Sequence, residues 1–344
     1  MQVFYEDTLS VVIVNYNRKD LLRACLRSLV LQKGVRTELI VVDNGSSDGS
    51  AEMVAKEFPA ARIVRNRTNL GFCEANNQGI SLSQGAFIAL LNNDAEAHPN
   101  WLYGLRAVFE GREDVGMAAC KVLVWEDPRR IDKVGHLIYL DGQNRGRGAG
   151  ELDTGQYDTM EDALWPDGCA AMYRRTMLDQ IGGFDEDFFA YADDAELGLR
   201  ARIAGWGCVY VPTAVVRHHR GATLGVRSMR RVELIERNRV LLAAKLFPWS
   251  LLWLNGAFYL ARLGAGAWAA LRGRGEISHY PGWRNKFQVI RAMMRADLEA
   301  IRMLPLMLRK RREIKKFQKM TAGELRRLIW RYRISLKALN QQSI

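Results

Sequence analysis

Cysteine is scarce and never clustered: Cys25, Cys73, Cys120, Cys169 and Cys208 are the five in 344 residues. An odd, scattered set excludes a disulfide framework and a zinc knuckle, and fits a reducing compartment. The opening MQVFYEDTLS has neither the basic start nor the long apolar core of a secretory signal. The chain is therefore expected on the cytoplasmic side of the cell membrane. Long apolar runs are missing too. In the C-terminal part the longest uncharged run, 246–261, has 16 residues and contains Pro248, Asn255 and Gly256. As a helix it would reach roughly 24 Å, short of a hydrocarbon core of about 30 Å. Gly-x-Gly-x-x-Gly does not follow the first apolar run, and no P-loop motif occurs. A dinucleotide dehydrogenase and a P-loop enzyme are excluded by motif.

What is present is a folded chain with divided charge. At 48% hydrophobic and 26% charged it is too apolar for disorder and too charged for a polytopic membrane protein. Residues 217–344 hold 28 Lys+Arg against 7 Asp+Glu, a net +21, while residues 1–216 carry −9. An acidic globular part (1–225, with halves of about 1–110 and 111–225) is thus followed by a basic appendage at 226–344. Such a block meets an anionic surface or nucleic acid.

The first hundred residues alternate β-branched runs at 9–14, 38–43, 62–64 and 86–91 with helical patterns at 20–31, 50–57 and 73–83. That order predicts an α/β fold with a mainly parallel sheet and helices on both faces. Unbroken apolar strands suit a sheet buried on both sides. Ligands of such sheets gather beyond the carboxyl ends of the strands. There the sequence places Asn15-Tyr16-Asn17, then a run from Asp43 and Asn44 to Ser50, then Asn92-Asn93-Asp94. One such loop is ordinary turn chemistry; three on one rim point to a ligand.

SVVIVNYNRKDLLRACLRSL, ELIVVDNGSSDGS, NLGFCEANNQGI, ALLNNDA and GCAAMYRRTMLDQIGGFDEDFFAYADDAELGLRARIAGW, followed by HHRGATLG, carry a resemblance in order and spacing from about residue 8 to 245. They resemble the inverting family 2 glycosyltransferases of GT-A fold, and among them the bacterial rhamnosyltransferase-like subgroup that builds cell-surface polysaccharide. The resemblance implies a nucleotide-sugar donor, dTDP-rhamnose first and a UDP-sugar next. It implies a donor side of Asn15, Tyr16, Asn17, Asp43, Asn44, Asn69, Asn76, Asn92, Asn93 and His218. A carboxylate at the position of Asp43 can accept hydrogen bonds from a base or ribose; a helix cap for the next helix is its alternative. Asp94 stands in the stretch that relatives write Asp-x-Asp, with Asn92 replacing the first acid. With His218 it implies a Mg²⁺ or Mn²⁺ site of reduced carboxylate count. Arg217 and Arg220 offer phosphate contacts without a metal.

The acidic run from Asp185 to Glu196 contains Asp193-Asp194 where relatives carry Glu-Asp. The resemblance makes Asp194 the base, with Asp193 beside it at the acceptor; Trp165, Asp167 and Gly168 form the acceptor-side segment. An inverting transfer needs one such carboxylate and no second as nucleophile. The bland alternative is an acidic helix start stabilised by its dipole. The glycine-rich stretch 141–162 reads as a mobile loop over the substrates.

In the appendage, 246–261 reads as an interfacial or hairpin segment. Arg309-Lys310-Arg311-Arg312 and Lys315-Lys316, with Phe317, Leu325, Leu328, Ile329 and Trp330 on one helical side, have the composition of a peripheral or monotopic anchor on anionic lipid. Nucleic acid is not expected, for no binding module is present. A lipid-linked saccharide acceptor would suit such a tail. The competing class is a catalytically idle polysaccharide-binding or assembly scaffold, against which Asp43, Asp94 and Asp194 argue.

Overall fold

The computed structural model describes residues 5–219, 228–272, 280 and 282–339. The boundary expected at 225/226 and Arg220 lie outside them. The strands are β1 Tyr5–Asn15, β2 Arg36–Asp43, β3 Arg62–Arg65, β4 Gly85–Leu91, β5 Ala95–Ala97, β6 Val115–Val124, β7 Ile131–Lys133, β8 His136–Ile138, β9 Asn144–Gly146, β10 Glu161–Asp162, β11 Ala170–Arg174 and β12 Gly207–His218. The helices of the first 204 residues are α1 Lys19–Val30, α2 Ser50–Glu57, α3 Phe72–Leu82, α4 Trp101–Ala107, α5 Arg175–Ile181 and α6 Asp193–Ile203. The central sheet runs β10-β12-β6-β11-β4-β1-β2-β3, with β5 on β12 and β7 on β6. β3, β2, β1 and β4 are mutually parallel, and β11 inserts antiparallel between β4 and β6.

The unbroken apolar strands are explained by two cores, one on each face. Val11, Ile13, Val41, Ala89 and Leu91 point to one core, packed by α1, α2 and α4. Val12, Ile40, Val42, Ile88 and Leu90 point to the other, with Trp165, Phe188 and Tyr210. Alternate residues of one strand therefore feed opposite layers.

The C-terminal helices are α7 Met229–Leu246, α8 Trp249–Leu252, α9 Asn255–Leu271, α10 Trp283–Ile314, α11 Ala322–Arg331 and α12 Leu336–Leu339. The run 246–261 is split between α7, α8 and α9, and among the described residues no helix is long and apolar enough to cross a membrane. α7 does not stand apart: Leu241, Leu242, Leu246 and Phe247 enter the same core as β4 and α6. So do Leu325, Leu328 and Ile329, with Phe317 packed against them. The residues read as a lipid-facing side of one helix thus face protein, because Tyr332 and Ile334 pair their backbone with Ile138 and draw α11 down. Of that group Trp330 stays exposed. The stretch 141–162, read as a mobile loop, carries β9 and β10. It is pinned by Arg262 on the fully buried Asp141 and by Lys121 on Asp153 and Asp158.

Close packing of α3 on β1 depends on Gly79, where a Cβ would come within 2.3 Å of a Val12 methyl. Gly79→Ala would gain up to about 1 kcal/mol of helix propensity and lose about 1–3 kcal/mol to overpacking. A net loss of stability is expected in chemical denaturation; a more stable variant would mean that the helix shifts freely.

Candidate active site

The site begins where β1, β2 and β4 end. Asn15 and Asp43 are register partners on β1 and β2. Asn15 Nδ2 donates to Asp43 Oδ1 and to Ser46 Oγ, both at 3.2 Å, and Asn15 Oδ1 accepts from Asn93 Nδ2 at 2.7 Å. One buried amide thereby ties three strand ends together. Asp43 Oδ2 accepts from the Ser46 N–H at 3.2 Å. It does not cap α2, whose N-cap is Gly49 with no side-chain capping bond; just before it Asp48 accepts from the Ser50 N–H at 3.0 Å. Asn17, at φ +51°, accepts from the Ser47 N–H at 2.8 Å, and Tyr16 is half-buried beside it.

Asn44, Asn69 and Asn76 are used differently from Asp43. Asn44 Nδ2 donates to Asn69 Oδ1 and Gly71 O, and its Oδ1 accepts from the Leu70 N–H, each at 3.0 Å. Asn69 Oδ1 also receives the Gly71 N–H at 2.9 Å. Asn76 Nδ2 returns to Phe72 O within α3 at 2.8 Å. These amides shape the 66–72 loop and the start of α3, satisfied by protein groups.

Beyond β4, Asn92 is half-buried and its N–H donates to Cys169 O at 2.8 Å, which joins this rim to the 165–169 segment. Asp94 is buried, and its Oδ1 has no hydrogen-bond partner. His218 Nε2 lies 3.4 Å from that oxygen, outside hydrogen-bond geometry. On its other side His218 Nδ1 is 2.8 Å from Asp132 Oδ2, on β7. Burial opposes the imidazolium, yet Asp132 and Asp94 raise His218 to about 9. A carboxylate fixing the far nitrogen of a histidine, with a second carboxylate oxygen 3.4 Å in front of it, is a donor set that a divalent cation could use once it displaces the imidazolium proton. Bringing these residues together is the pairing of β5 with β12, Ala95 opposite His218. His219 turns away to stack on Trp125 at 4.2 Å, and Arg217 is exposed.

The acceptor-side residues meet the acidic run. Gly168 N–H donates to Asp194 Oδ2 at 3.3 Å, and the Ala195 N–H donates to Asp194 Oδ1 at 2.7 Å, at the N-terminus of α6. His136 Nε2 lies 2.8 Å from Asp167 Oδ2 and 3.3 Å from Asp194 Oδ2. Trp165, fully buried, stacks on the His136 ring at 5.8 Å. Burial pushes the Asp194 carboxyl up, only partly offset by His136. Burial and the neighbouring Asp194 push Asp193 well up. Asp167 goes the other way: burial alone would raise it, but Lys133 and His136 hold it well below the usual carboxylate range. His136, Asp167 and Asp194 each offer a ligand atom within 4.8 Å of the others, a spacing that could hold a metal ion. Lys133 Nζ already sits 2.8 Å from Asp167 Oδ2 and supplies the positive charge a cation would bring.

The approach to Asp193 is strained. Phe189, Tyr191 and Ala192 have φ of +62°, +69° and +55°. Non-glycine residues held there cost on the order of 1–3 kcal/mol each and persist only where the surroundings impose them. The rest of the acidic run supplies anchors. Asp185 and Glu196 accept from Lys245 at 2.5 and 2.6 Å, and Asp187 accepts from Lys310 at 2.5 Å. Arg200 clasps Glu196 with two hydrogen bonds, at 2.9 and 2.8 Å. The structure thus sorts the run: Asp193 and Asp194 face the site, while Asp185, Asp187 and Glu196 are tied to cations.

Asp132, Lys133, His136 and Asn238 have no counterpart among the expected residues. Asp132, Lys133 and His136 sit on β7 and β8, short strands without a motif, where a lone histidine gives no signal. Asp132 and Lys133 also follow the charged run Glu126-Asp127-Pro128-Arg129-Arg130, which hides them in composition.

Residues 10–182, just over half of the chain, match the model of Glycosyl transferase family 2. An N-acetylglucosaminyl-diphospho-decaprenol L-rhamnosyltransferase of Mycobacterium tuberculosis is 27% identical over 240 residues, covering 64% of this chain and 78% of its own. Glycosyltransferase AglE of Haloferax volcanii is 36% identical over 219 residues, 61% of this chain and 66% of its own. Among solved structures, a Pyrobaculum calidifontis mannosyltransferase in complex with GDP-Man and Mn²⁺ superposes with a TM-score of 0.53 at 19% identity, covering 86% of this chain and 88% of that one. GalNAc-T7 with UDP, GalNAc and Mn²⁺ gives a TM-score of 0.53 at 15% identity, over 69% of this chain and 50% of that one. The fold is the GT-A fold, the expected sheet is present, and the chain is a glycosyltransferase belonging to family 2.

Proposed function

We propose that this enzyme transfers one sugar with inversion from a nucleotide sugar, dTDP-rhamnose foremost and a UDP-sugar next, to a lipid-linked saccharide in cell-surface polysaccharide synthesis. The observation that carries the reading is the Asp194 carboxylate, largely but not fully buried at a helix start, held by the Gly168 N–H and set beside His136. Burial raises its basicity, which is what a general base for a sugar hydroxyl requires. Asp193 shares the pocket, its carboxyl pushed toward the protonated form by burial and by Asp194. Gly168 and Trp165 border the acceptor, and Asp167, fixed as an anion, orients His136. The mycobacterial relative, named for rhamnosyl transfer to a diphospho-decaprenol sugar, supports rhamnose and a lipid diphosphate acceptor. Asp43, Asn15, Asn17, Tyr16 and Asn93 line the nucleoside end. Asp94 and His218 would hold Mg²⁺ or Mn²⁺, which supplies charge neutralisation at the departing diphosphate; Asn92 adds an amide oxygen rather than a second carboxylate.

Asp194→Asn is expected to abolish transfer while nucleotide affinity stays within a few-fold. The wild-type rate should fall with acidification through an apparent pKa above the ordinary carboxylate value of about 3.9, because the raised group must lose its proton to work. Substantial turnover by the variant would remove Asp194 from the role. An acid limb near or below pH 4 would mean that a different group limits the rate.

For the nucleoside end, Asp43→Ala should weaken binding of the free nucleoside diphosphate at least ten-fold by calorimetry. Unchanged affinity would leave Asp43 as nothing more than the partner of Asn15 and Ser46.

The appendage is read as a peripheral or monotopic contact with the anionic cytoplasmic face of the cell membrane. Support comes from an exposed stripe on α10: Trp283, Phe287, Ile290, Met294, Leu298 and Ile301, each more than half exposed. They recur every three or four residues, opposite Ala292, Ala296 and Ala300, which face inward. Exposed Arg284, Lys286, Arg291, Arg295 and Arg302 flank the stripe, matching anionic headgroups in charge. Tighter binding to anionic than to zwitterionic vesicles is expected, weakened by salt. The pair Trp283→Ser and Phe287→Ser should reduce binding without moving Tm. Equal binding to neutral vesicles, or binding indifferent to the pair, would sink this surface.

A further inference from the structure

We propose that Asn238, on α7, is a positioning residue for the base: its side-chain amide holds the strained turn that aims Asp193 and Asp194. The inference rests on the reading of Asp194 as base. Asn238 is fully buried, and Nδ2 donates to Phe188 O and Ala190 O at 2.9 Å and to Tyr191 O at 2.7 Å. Two N–H bonds thus serve three carbonyls of one turn. The orientation of the amide is fixed by its neighbour, since Arg237 Nε donates to Asn238 Oδ1 at 2.9 Å. A flipped amide would aim its oxygen at three carbonyl oxygens. The turn cannot form by itself in ordinary backbone, because Phe189, Tyr191 and Ala192 all take positive φ.

Two more contacts close the turn. Arg237 Nη2 donates to Asp187 O at 2.9 Å and Phe188 O at 3.0 Å. Phe189 O accepts from the Phe72 and Cys73 N–H groups at 2.7 and 3.2 Å, which leaves only the carbonyls facing α7 to be satisfied from there. Ala192 is the residue from which α6 departs, so its φ and ψ set the direction in which Asp193 and Asp194 leave the turn. Remove the amide, and the Ala190 and Tyr191 carbonyls lose their donor, Phe188 O keeping Arg237 and the Ala190 N–H, so the second half of the turn is no longer held at positive φ. The backbone then relaxes, and the carboxylates move with it. Asn238 touches neither substrate nor reacting atoms; it acts through the turn.

The test uses the full chain with Asn238→Leu, close in volume and without a donor, and Asn238→Asp, which turns acceptors toward the carbonyls. Turnover of the folded protein should drop about 100-fold, the scale of an ångström-level misplacement. Affinity for the nucleoside diphosphate should stay within three-fold, because the nucleoside end hangs on Asn15 and Asp43. The acid limb of the rate profile should also shift. Asn238→Ser, keeping one donor and less volume, should fall between wild type and Asn238→Leu, and serves where the other variants do not fold. Activity lost only in proportion to the unfolded fraction, with turnover per folded molecule and the acid limb unchanged, would overturn the proposal. Asp194→Asn, assayed beside them, separates the two readings. Retained turnover there refutes the base itself; its abolition with Asn238 variants fully active refutes only the positioning.

Discussion

The rest of the site depends on how the acidic turn 185–196 is held. A carboxylate removed from water costs several kcal/mol unless a cation and hydrogen bonds replace the solvent. Asp185, Asp187 and Glu196 find those cations on Lys245, Lys310 and Arg200, of which the first two come from helices well beyond the family match. Such pairs add little net stability compared with an apolar core. What they supply here is register. Lys245 bridges Asp185 and Glu196, on opposite sides of the strained turn, and so fixes its two ends relative to one another. α7 is therefore packed into the same structural unit as the acidic turn.

With the flanking acids neutralised, the charge left in the pocket can be divided. Three carboxylates, Asp167, Asp193 and Asp194, share space with Lys133 and His136, and they cannot all ionise at equal ease. Lys133 is itself kept cationic against its burial by Asp132 and Asp167. Its ammonium settles the contest in favour of Asp167, leaving the protonation pressure on Asp193 and Asp194. Asp167 is held toward the anion and Asp193 is pushed toward its acid form. Between them lies Asp194, whose two oxygens receive backbone N–H groups and whose basicity is set by burial. Lys133 already brings a positive charge to the His136 cluster, whereas Asp94 keeps a buried oxygen without a hydrogen-bond partner, 3.4 Å from His218 Nε2.

Much of this was legible in the sequence, for reasons that can be stated. Parallel strands buried on both faces must be apolar throughout, so Val11–Val14 and Ile40–Val42 announced themselves, and the polar residues after them marked the rim. Asp43 and Asp94 stood out as candidates because each is a carboxylate placed just after an apolar strand. Asn44, Asn69 and Asn76 were harder to read, because an amide suits a ligand and a loop equally well, and in the structure each also bonds the 66–72 segment or α3. The lipid-facing set in the tail failed at Leu325, Leu328 and Ile329, since an amphipathic helix shows that one side is buried but not against what. Asn238 was invisible, because its partners are main-chain atoms some fifty residues away and main chain leaves no trace in composition.

That last point bears on the exposed stripe of α10. Its inward side carries Glu299, bonded to Arg237 at 2.6 Å, and Lys310, bonded to the acidic turn. Its outward side carries the apolar row from Trp283 to Ile301. One helix, roughly 10 Å thick with its side chains, therefore separates the proposed lipid surface from residues that hold the base. For an acceptor whose sugar is tethered to lipid through a diphosphate, the reacting hydroxyl cannot travel far from the headgroup plane. An acidic turn braced directly on α10 would keep a base at Asp194 within that reach. A soluble polysaccharide acceptor would impose no such constraint, and the exposed row on α10 would then have no role in bringing acceptor to base.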